Sequence, residues 1–164
     1  MKRALLFILL ALGFLTLDIV TKHYVFHDLS GTILSHPRGE GIPLLRFFGI
    51  DFFIGLTFNK GAAWGLFANF KNILIIVRIA IVAILFFYLL FFRKNSPALP
   101  LVLILTGAVG NIIDFFVYGF VIDFFHFKFW GHSFPLFNVA DALISIGVGL
   151  LFLNLCLKKK DACV

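Results

Sequence analysis

Three aspartates, Asp114, Asp123 and Asp141, stand among runs of Phe, Ile, Val and Leu that otherwise suit lipid. A carboxylate in hydrocarbon costs about 2.5 to 3.5 kcal/mol even on lenient insertion scales, so acids in that setting point to function. The chemistry open to them is acid–base hydrolysis. Two carboxylates a few ångströms apart do not easily both ionise, so a pair shares one proton and titrates in two split steps. The ionised member then takes a proton from water while the protonated member polarises a carbonyl. Spacing alone does not say which two of the three would pair.

The elements that must position these acids follow from composition. With 62% hydrophobic and 13% charged residues and a mean hydropathy of +1.08, the chain has too few charges to cover a water-soluble globule and too much apolar surface for disorder. It reads as an integral membrane protein, mainly α. Four stretches reach the roughly 20 apolar residues a spanning helix needs: about 4–26, 73–92, 98–118 and 139–157. Met1-Lys2-Arg3 and the apolar run behind it also fit a cleavable signal peptide, but no small-x-small cleavage site follows, and the first span is expected to stay. Nothing resembles a repeat, a linker or a second domain, so one membrane domain over 1–164 is expected, with its extramembrane mass at about 27–70.

Basic residues set the orientation. Lys2 and Arg3 precede the first span, Arg93 and Lys94 lie between the second and third, and Lys158, Lys159 and Lys160 follow the fourth. Both termini and the short turn are therefore expected on the cytoplasmic side, although Arg38, Arg46, Lys60 and Lys71 place some basic charge in the first outer loop. The net charge of +6 needs no nucleic acid to explain it, because its densest clusters are anchors facing anionic lipid. Trp64, Trp130, Tyr24 and Tyr118 fall near the opposite interface, where amphipathic aromatics collect.

A rise of 1.5 Å per residue assigns depth. Asp18 lies roughly 20 Å up from Ala4 and Asp114 roughly 24 Å up from Ala98, both in the outer third of a core about 30 Å thick. Asp141 begins the fourth span from the outside, and Arg78 lies roughly 8 to 12 Å below the outer end of the second. Four segments thus deliver polar groups to one depth. Gly107, Gly110, Asn111 and Asp114 stand at i, i+3, i+4 and i+7, one helical stripe whose small residues allow close approach of a neighbouring helix. Asn138, Asp141 and Ser145 make a similar stripe. Asp18 and Lys22, an i,i+4 pair that neutralises itself in part, read as structural.

Between the third and fourth spans, Val121 to Trp130 is too polar and too short to cross the bilayer. Read as a strand, it puts Asp123, Phe125, Phe127 and Phe129 on one side and His126 and Lys128 on the other. Two readings of Asp123 stand: an exposed loop acid, or a group turned back over the helix tops toward Asp141.

These segments, taken in order, resemble the bacterial lipoprotein signal peptidase family, signal peptidase II, over essentially the whole chain. The resemblance is carried by Asp18-Ile19-Val20-Thr21-Lys22, by Phe58-Asn59-Lys60-Gly61-Ala62-Ala63-Trp64-Gly65, and by Gly107-Ala108-Val109-Gly110-Asn111-Ile112-Ile113-Asp114. Val121-Ile122-Asp123-Phe124 and Phe137-Asn138-Val139-Ala140-Asp141-Ala142 complete it. It implies an intramembrane aspartic endopeptidase that removes signal peptides from diacylglyceryl-modified prolipoproteins, cutting before the lipidated cysteine. It picks Asp123 and Asp141 as the catalytic pair and Asp114 as support, with Asn59, Asn111 and Asn138 binding the substrate backbone or ordering the dyad. It implies further a small extracytoplasmic β-sheet from about 41 to 54, a site at the outer leaflet of the bacterial inner membrane, and no metal or cofactor. Its partners would be lipidated prolipoproteins and membrane lipid, met by a monomer and blocked by globomycin-type cyclic peptides.

In two places the chain departs from the family pattern, and one of them, Thr106 where Gly is common, leaves Gly107 and Gly110 in the packing stripe. The Gly-Asn-x-x-Asp motif is normally followed by Arg, whereas Phe115 follows Asp114 here. Arg78 on the second span is expected to bring a guanidinium to the same polar cluster instead. His23 and His27 lack a third ligand at metal-site spacing, and Cys156 and Cys163 read as inert thiols. Two other classes compete with the protease: a small ion or proton transporter, and a noncatalytic membrane assembly factor. A transport path would leave polar residues at several depths, yet the inner halves of all four spans are almost wholly apolar.

Overall fold

The computed structural model describes residues 2–36, 41–61, 70–91 and 98–161. Arg38, Ala62, Ala63, Trp64, Gly65, Arg93, Lys94 and Cys163 lie outside them. Helix α1 (Lys2–Tyr24) runs through a π-helical turn (Val25–Leu29) into α2 (Ser30–Leu34); then come β1 (Ile42–Phe47), β2 (Ile50–Asn59) and α3 (Lys71–Phe91). The chain continues through α4 (Ala98–Tyr118), β3 (Val121–Phe129), β4 (His132–Ser133) and α5 (Val139–Asp161).

Among the described residues, four helical stretches are long and apolar enough to cross a membrane: Ala4–Leu34, Asn72–Phe91, Ala98–Tyr118 and Val139–Leu157. Leu5, Leu9 and Leu12 on α1, Ile76 and Ile84 on α3, and Val148 and Phe152 on α5 turn outward, as lipid-facing side chains do. The protein is a multi-pass membrane protein. The first helical path runs past its expected end at residue 26, because the π turn carries it on to Leu34. That turn places Val25 against Ile33, Ile122 and Phe124, a small core between the helix end and the sheet.

Helix α4 is the centre of the bundle and packs against α1, α3 and α5. It approaches α5 closely because Gly107 and Gly110 have no side chain. A Cβ on Gly107 would run into the Ala140 carbonyl, and one on Gly110 would meet Asp18. The small-residue stripe therefore faces protein, as its spacing requires.

The sheet is antiparallel in the order β1-β2-β3-β4. It lies at one end of the bundle, reached from the end of α1 and α4 and leading into α3 and α5. Its expected extent, 41–54, is exceeded because β2 runs on to Asn59. Both hairpins close through two residues with positive φ, Phe48 (46°) with Gly49 (80°) and Trp130 (49°) with Gly131 (83°), the backbone of a type I′ turn. Residues 121–129 form the anticipated strand. Phe52, Phe125, Phe127 and Phe137 stack on one side of it, while His126 and Lys128 meet Phe53 on the other.

An irregularity in β2 governs the site. Ile54 pairs with Phe125 and Thr57 with Asp123, so Gly55 and Leu56 together oppose Phe124 alone. This is a β-bulge, which shifts by one the alternation of every residue beyond it. Without it, Leu56 and Phe58 would share a face with Asp123. With it, Thr57 and Asn59 do.

Candidate active site

The deepest layer of the site is a buried charge cluster. Lys22, 1% exposed, places its Nζ 2.7 Å from Asp18 Oδ2 and 2.8 Å from Asp114 Oδ2. It also donates to Asn111 Oδ1 at 3.1 Å. An ammonium has three N–H donors, and each has an acceptor here. Asp18 uses its other oxygen, Oδ1, to accept the Ala140 N–H at 2.8 Å near the start of α5. Asp114 accepts the Ile122 N–H of β3 at 3.3 Å. The Asp18–Lys22 pair is thus present as expected, but it is not self-contained: it ties α1 to α4, α5 and the sheet.

Above it lies an amide layer. Asn111 Oδ1 accepts from Lys22 and from Asn138 Nδ2 at 3.2 Å, which leaves its Nδ2 to donate to Asp141 Oδ1 at 2.8 Å. Asn138 caps α5: its Oδ1 accepts the Asp141 N–H at 2.9 Å, and its own N–H reaches Asp141 Oδ2 at 3.4 Å. That reciprocal arrangement is a capping box with Asp in the third helical position. The Asn-x-x-Asp spacing ahead of an apolar run carries this signal in the sequence, though it was read there only as a helical stripe. Asn138 Nδ2 also donates to the Ile122 carbonyl at 3.1 Å and to Asp123 Oδ1 at 2.7 Å.

Asp123 is 2% exposed on β3, so the reading of it as an exposed loop acid does not hold. Its Oδ2 accepts from Asn59 Nδ2 at 3.1 Å, and Asn59 Oδ1 in turn accepts the Gly61 N–H at 2.9 Å. Burial pushes the Asp123 carboxyl up to about 7, and the Asp141 charge acts in the same direction. The Asn59 hydrogen bond, the Lys22 charge and the Asn138 hydrogen bond pull it back in part.

Both carboxylates line a cleft of about 510 Å³, together with Asn59, Arg78, Asn111 and Phe137. Eight expected site residues, Asp18, Lys22, Asp114, Asp123, Asp141, Asn59, Asn111 and Asn138, fall in one connected network, with Gly110 packed against Asp18. Arg78 lines the same cleft as the two acids. Its Nη2 donates to the Gly61 carbonyl at 2.8 Å, while among the described residues the cation paired with Asp114 is Lys22. The segment Phe134 to Phe137, which closes the cleft and pairs with β3 at Phe125, had no polar residue to mark it in the sequence.

Residues 10–157 match the profile of the family described as signal peptidase (SPase) II. A lipoprotein signal peptidase of Chlamydia pneumoniae is 42% identical over 144 residues, covering 84% of this chain and 83% of its own. One of Clostridium tetani is 38% identical over 152 residues, covering 89% and 88%. A bacterial membrane enzyme solved by the in meso method at 2.3 Å superposes with a TM-score of 0.73 at 28% identity, over 94% of this chain and 88% of that one.

Proposed function

The chain belongs to the signal peptidase II family, and from that premise we propose that it is an aspartic endopeptidase with Asp123 and Asp141 as its catalytic pair. It is a protease acting on prolipoproteins; the transporter and assembly-factor readings find no support among its relatives. The observation that carries the aspartic reading is Asn138, which donates to Asp123 Oδ1 and forms the cap around Asp141, so one side chain holds both acids on a common cleft.

The pair shares one proton, which near neutral pH resides on Asp123, whose carboxyl is raised to about 7. Asp141 takes a proton from a water molecule, and the water oxygen bonds to the scissile carbonyl carbon. Asp123 gives its proton to the carbonyl oxygen, leaving a neutral gem-diol without a covalent acyl-enzyme. Asp141 then gives its proton to the amide nitrogen while Asp123 takes a proton back from a diol hydroxyl, so the C–N bond breaks, the carbonyl re-forms and the pair regains its starting protonation. The products are a signal peptide with a free carboxyl and a lipoprotein whose lipidated cysteine carries a new amine. Asn111 and Asn138 order the pair, Asn59 aligns Asp123, and Asp114 with Lys22 and Asp18 forms the charged floor.

The site belongs at the outer leaflet of the bacterial inner membrane, with both termini in the cytoplasm. What supports this is the sequence position of the basic residues: Lys2 and Arg3 precede the first span, Arg93 and Lys94 lie between the second and third, and Lys158 to Lys160 follow the fourth. Water reaches the dyad there while the substrate's diacylglyceryl group stays in lipid. The enzyme acts as one membrane domain and a monomer, open to inhibition by globomycin-type cyclic peptides.

Reconstitution with a diacylglyceryl-modified preprolipoprotein tests this function. Asp123→Asn and Asp141→Asn are each expected to abolish cleavage while the protein still folds. Retained cleavage by both ends the aspartic reading.

A further inference from the structure

The inward stripe of α3 runs through Ile75, Arg78, Val82, Leu85 and Leu89, all less exposed than Ile76, Val77 and Ile79 beside them. Arg78 is its only polar member. A cation at membrane depth is costly and marks a functional contact whose partner must be named. The partner visible here is a single neutral oxygen, the Gly61 carbonyl, and among the described residues Arg78 forms no ion pair. A guanidinium carries five N–H donors in a planar fork. Among the described residues one of them is engaged, and the side chain lines the cleft that holds Asp123 and Asp141.

The carboxylates of that cleft do not fill the gap. Asp123 is held by Asn59 and Asn138, and Asp141 by Asn111 and the α5 cap. The charges acting on Asp123 are those of Asp141 and Lys22. Among the described residues Arg78 is therefore paired with neither acid of the dyad, and its remaining donors are available to whatever enters the cleft.

We propose that Arg78 is a substrate-binding residue that grips a carbonyl oxygen of the lipidated substrate while its bond to Gly61 fixes the end of β2 that carries Asn59. This rests on the protease reading above and names what Arg78 does in that site. Carbonyl acceptors come from two parts of such a substrate, the peptide backbone and the ester linkages of the diacylglyceryl group. The grip is a charge-assisted hydrogen bond, worth about 10- to 100-fold in binding.

The test uses the full-length enzyme in lipid nanodiscs with two preprolipoproteins, one carrying ester-linked diacylglyceryl and one ether-linked dialkylglyceryl, which has no lipid carbonyls. With the ester substrate, Arg78→Gln is expected to raise KM by about 10-fold or more, to change kcat by less than about threefold, and to leave the alkaline limb of the pH profile in place. If the ether substrate shows the same penalty, the carbonyl is peptidic; if the penalty vanishes, it is the ester. An unchanged KM with both substrates overturns the proposal, as does a loss confined to kcat with a displaced alkaline limb. Should Arg78→Gln lose its thermal transition, Arg78→Lys carries the test, since it keeps the charge and loses the planar fork; an unchanged KM for it is equally fatal. Failure of the protease reading is separate, because Asp123→Asn would then still cleave.

Discussion

Asn138 Nδ2 stands 2.7 Å from Asp123 Oδ1, the shortest hydrogen bond received by either carboxylate of the pair. The same residue opens α5 and caps it against Asp141. On the proposed assignment a helix cap therefore also sets the geometry of the catalytic pair, and the two duties separate experimentally. Asn138→Ala is expected to lower kcat by about 100-fold or more through misplacement of the dyad and stability by about 1 kcal/mol through loss of the cap. Asn138→Ser, which restores a cap but not the donor to Asp123, should recover stability and not turnover. A kcat for Asn138→Ala within threefold of the parent would remove Asn138 from the site.

The pH response follows from Asp123. Its carboxyl, held up at about 7 by burial and by Asp141, is protonated below that value and ionised above it, and in the proposed mechanism that proton is the one given to the substrate. kcat/KM is expected to fall tenfold per pH unit on the alkaline side of about 7. Stability moves in the same direction. Between the ordinary carboxylate value of 3.8 and about 7 the folded chain keeps a proton that the unfolded chain releases, so this group's contribution declines as pH rises through that window. Asp123→Asn should flatten that dependence and exceed the parent in melting temperature at pH 8. An alkaline limb of kcat/KM beginning only above pH 9 would contradict the assignment, a bound roughly two units above the raised value.

Lys22 is predicted to be the costliest polar residue to remove. Lys22→Met leaves Asp18 and Asp114 buried without their cation, a change expected to cost about 3 to 5 kcal/mol. Adding Asp18→Asn and Asp114→Asn to it should recover part of the loss, because the orphaned charges are then gone. Thermal melting in one lipid environment compares the set. Equal melting of Lys22→Met and the parent would mean that the buried cluster does not hold the helices together.

Close approach of α4 and α5 gives a steric prediction with an internal control. Gly107→Ala drives a methyl into the Ala140 carbonyl, whereas Gly149→Ala, on α5, points into open space. The first is expected to destabilise by about 1 to 3 kcal/mol and to reduce turnover, since Ala140 adjoins Asp141. The second should be neutral or slightly stabilising in melting experiments. Matching behaviour of the two variants would show that the interface yields without strain.

The membrane class, the four spans and the common depth of their polar residues were all readable from the sequence, because hydropathy and helical rise are local properties. The stripe through Gly107, Gly110, Asn111 and Asp114 announced its protein-facing side for the same reason, and resemblance to a family singled out Asp123 and Asp141. What waited for the tertiary structure were the links between segments distant in sequence. One extra residue in β2 turned Asn59 onto the face of Asp123, an alternation that no local pattern displays. Lys22 looked sufficient to Asp18 within its own helix, yet its three donors are divided among Asp18, Asp114 and Asn111. Arg78, expected to bring a guanidinium to the polar cluster, lines its cleft and donates to the Gly61 carbonyl, while Lys22 is the cation paired with Asp114. Spacing along a chain fixes which groups share a face and a depth; only packing decides which acceptor each buried donor reaches, since the alternatives compete across helices and the sheet.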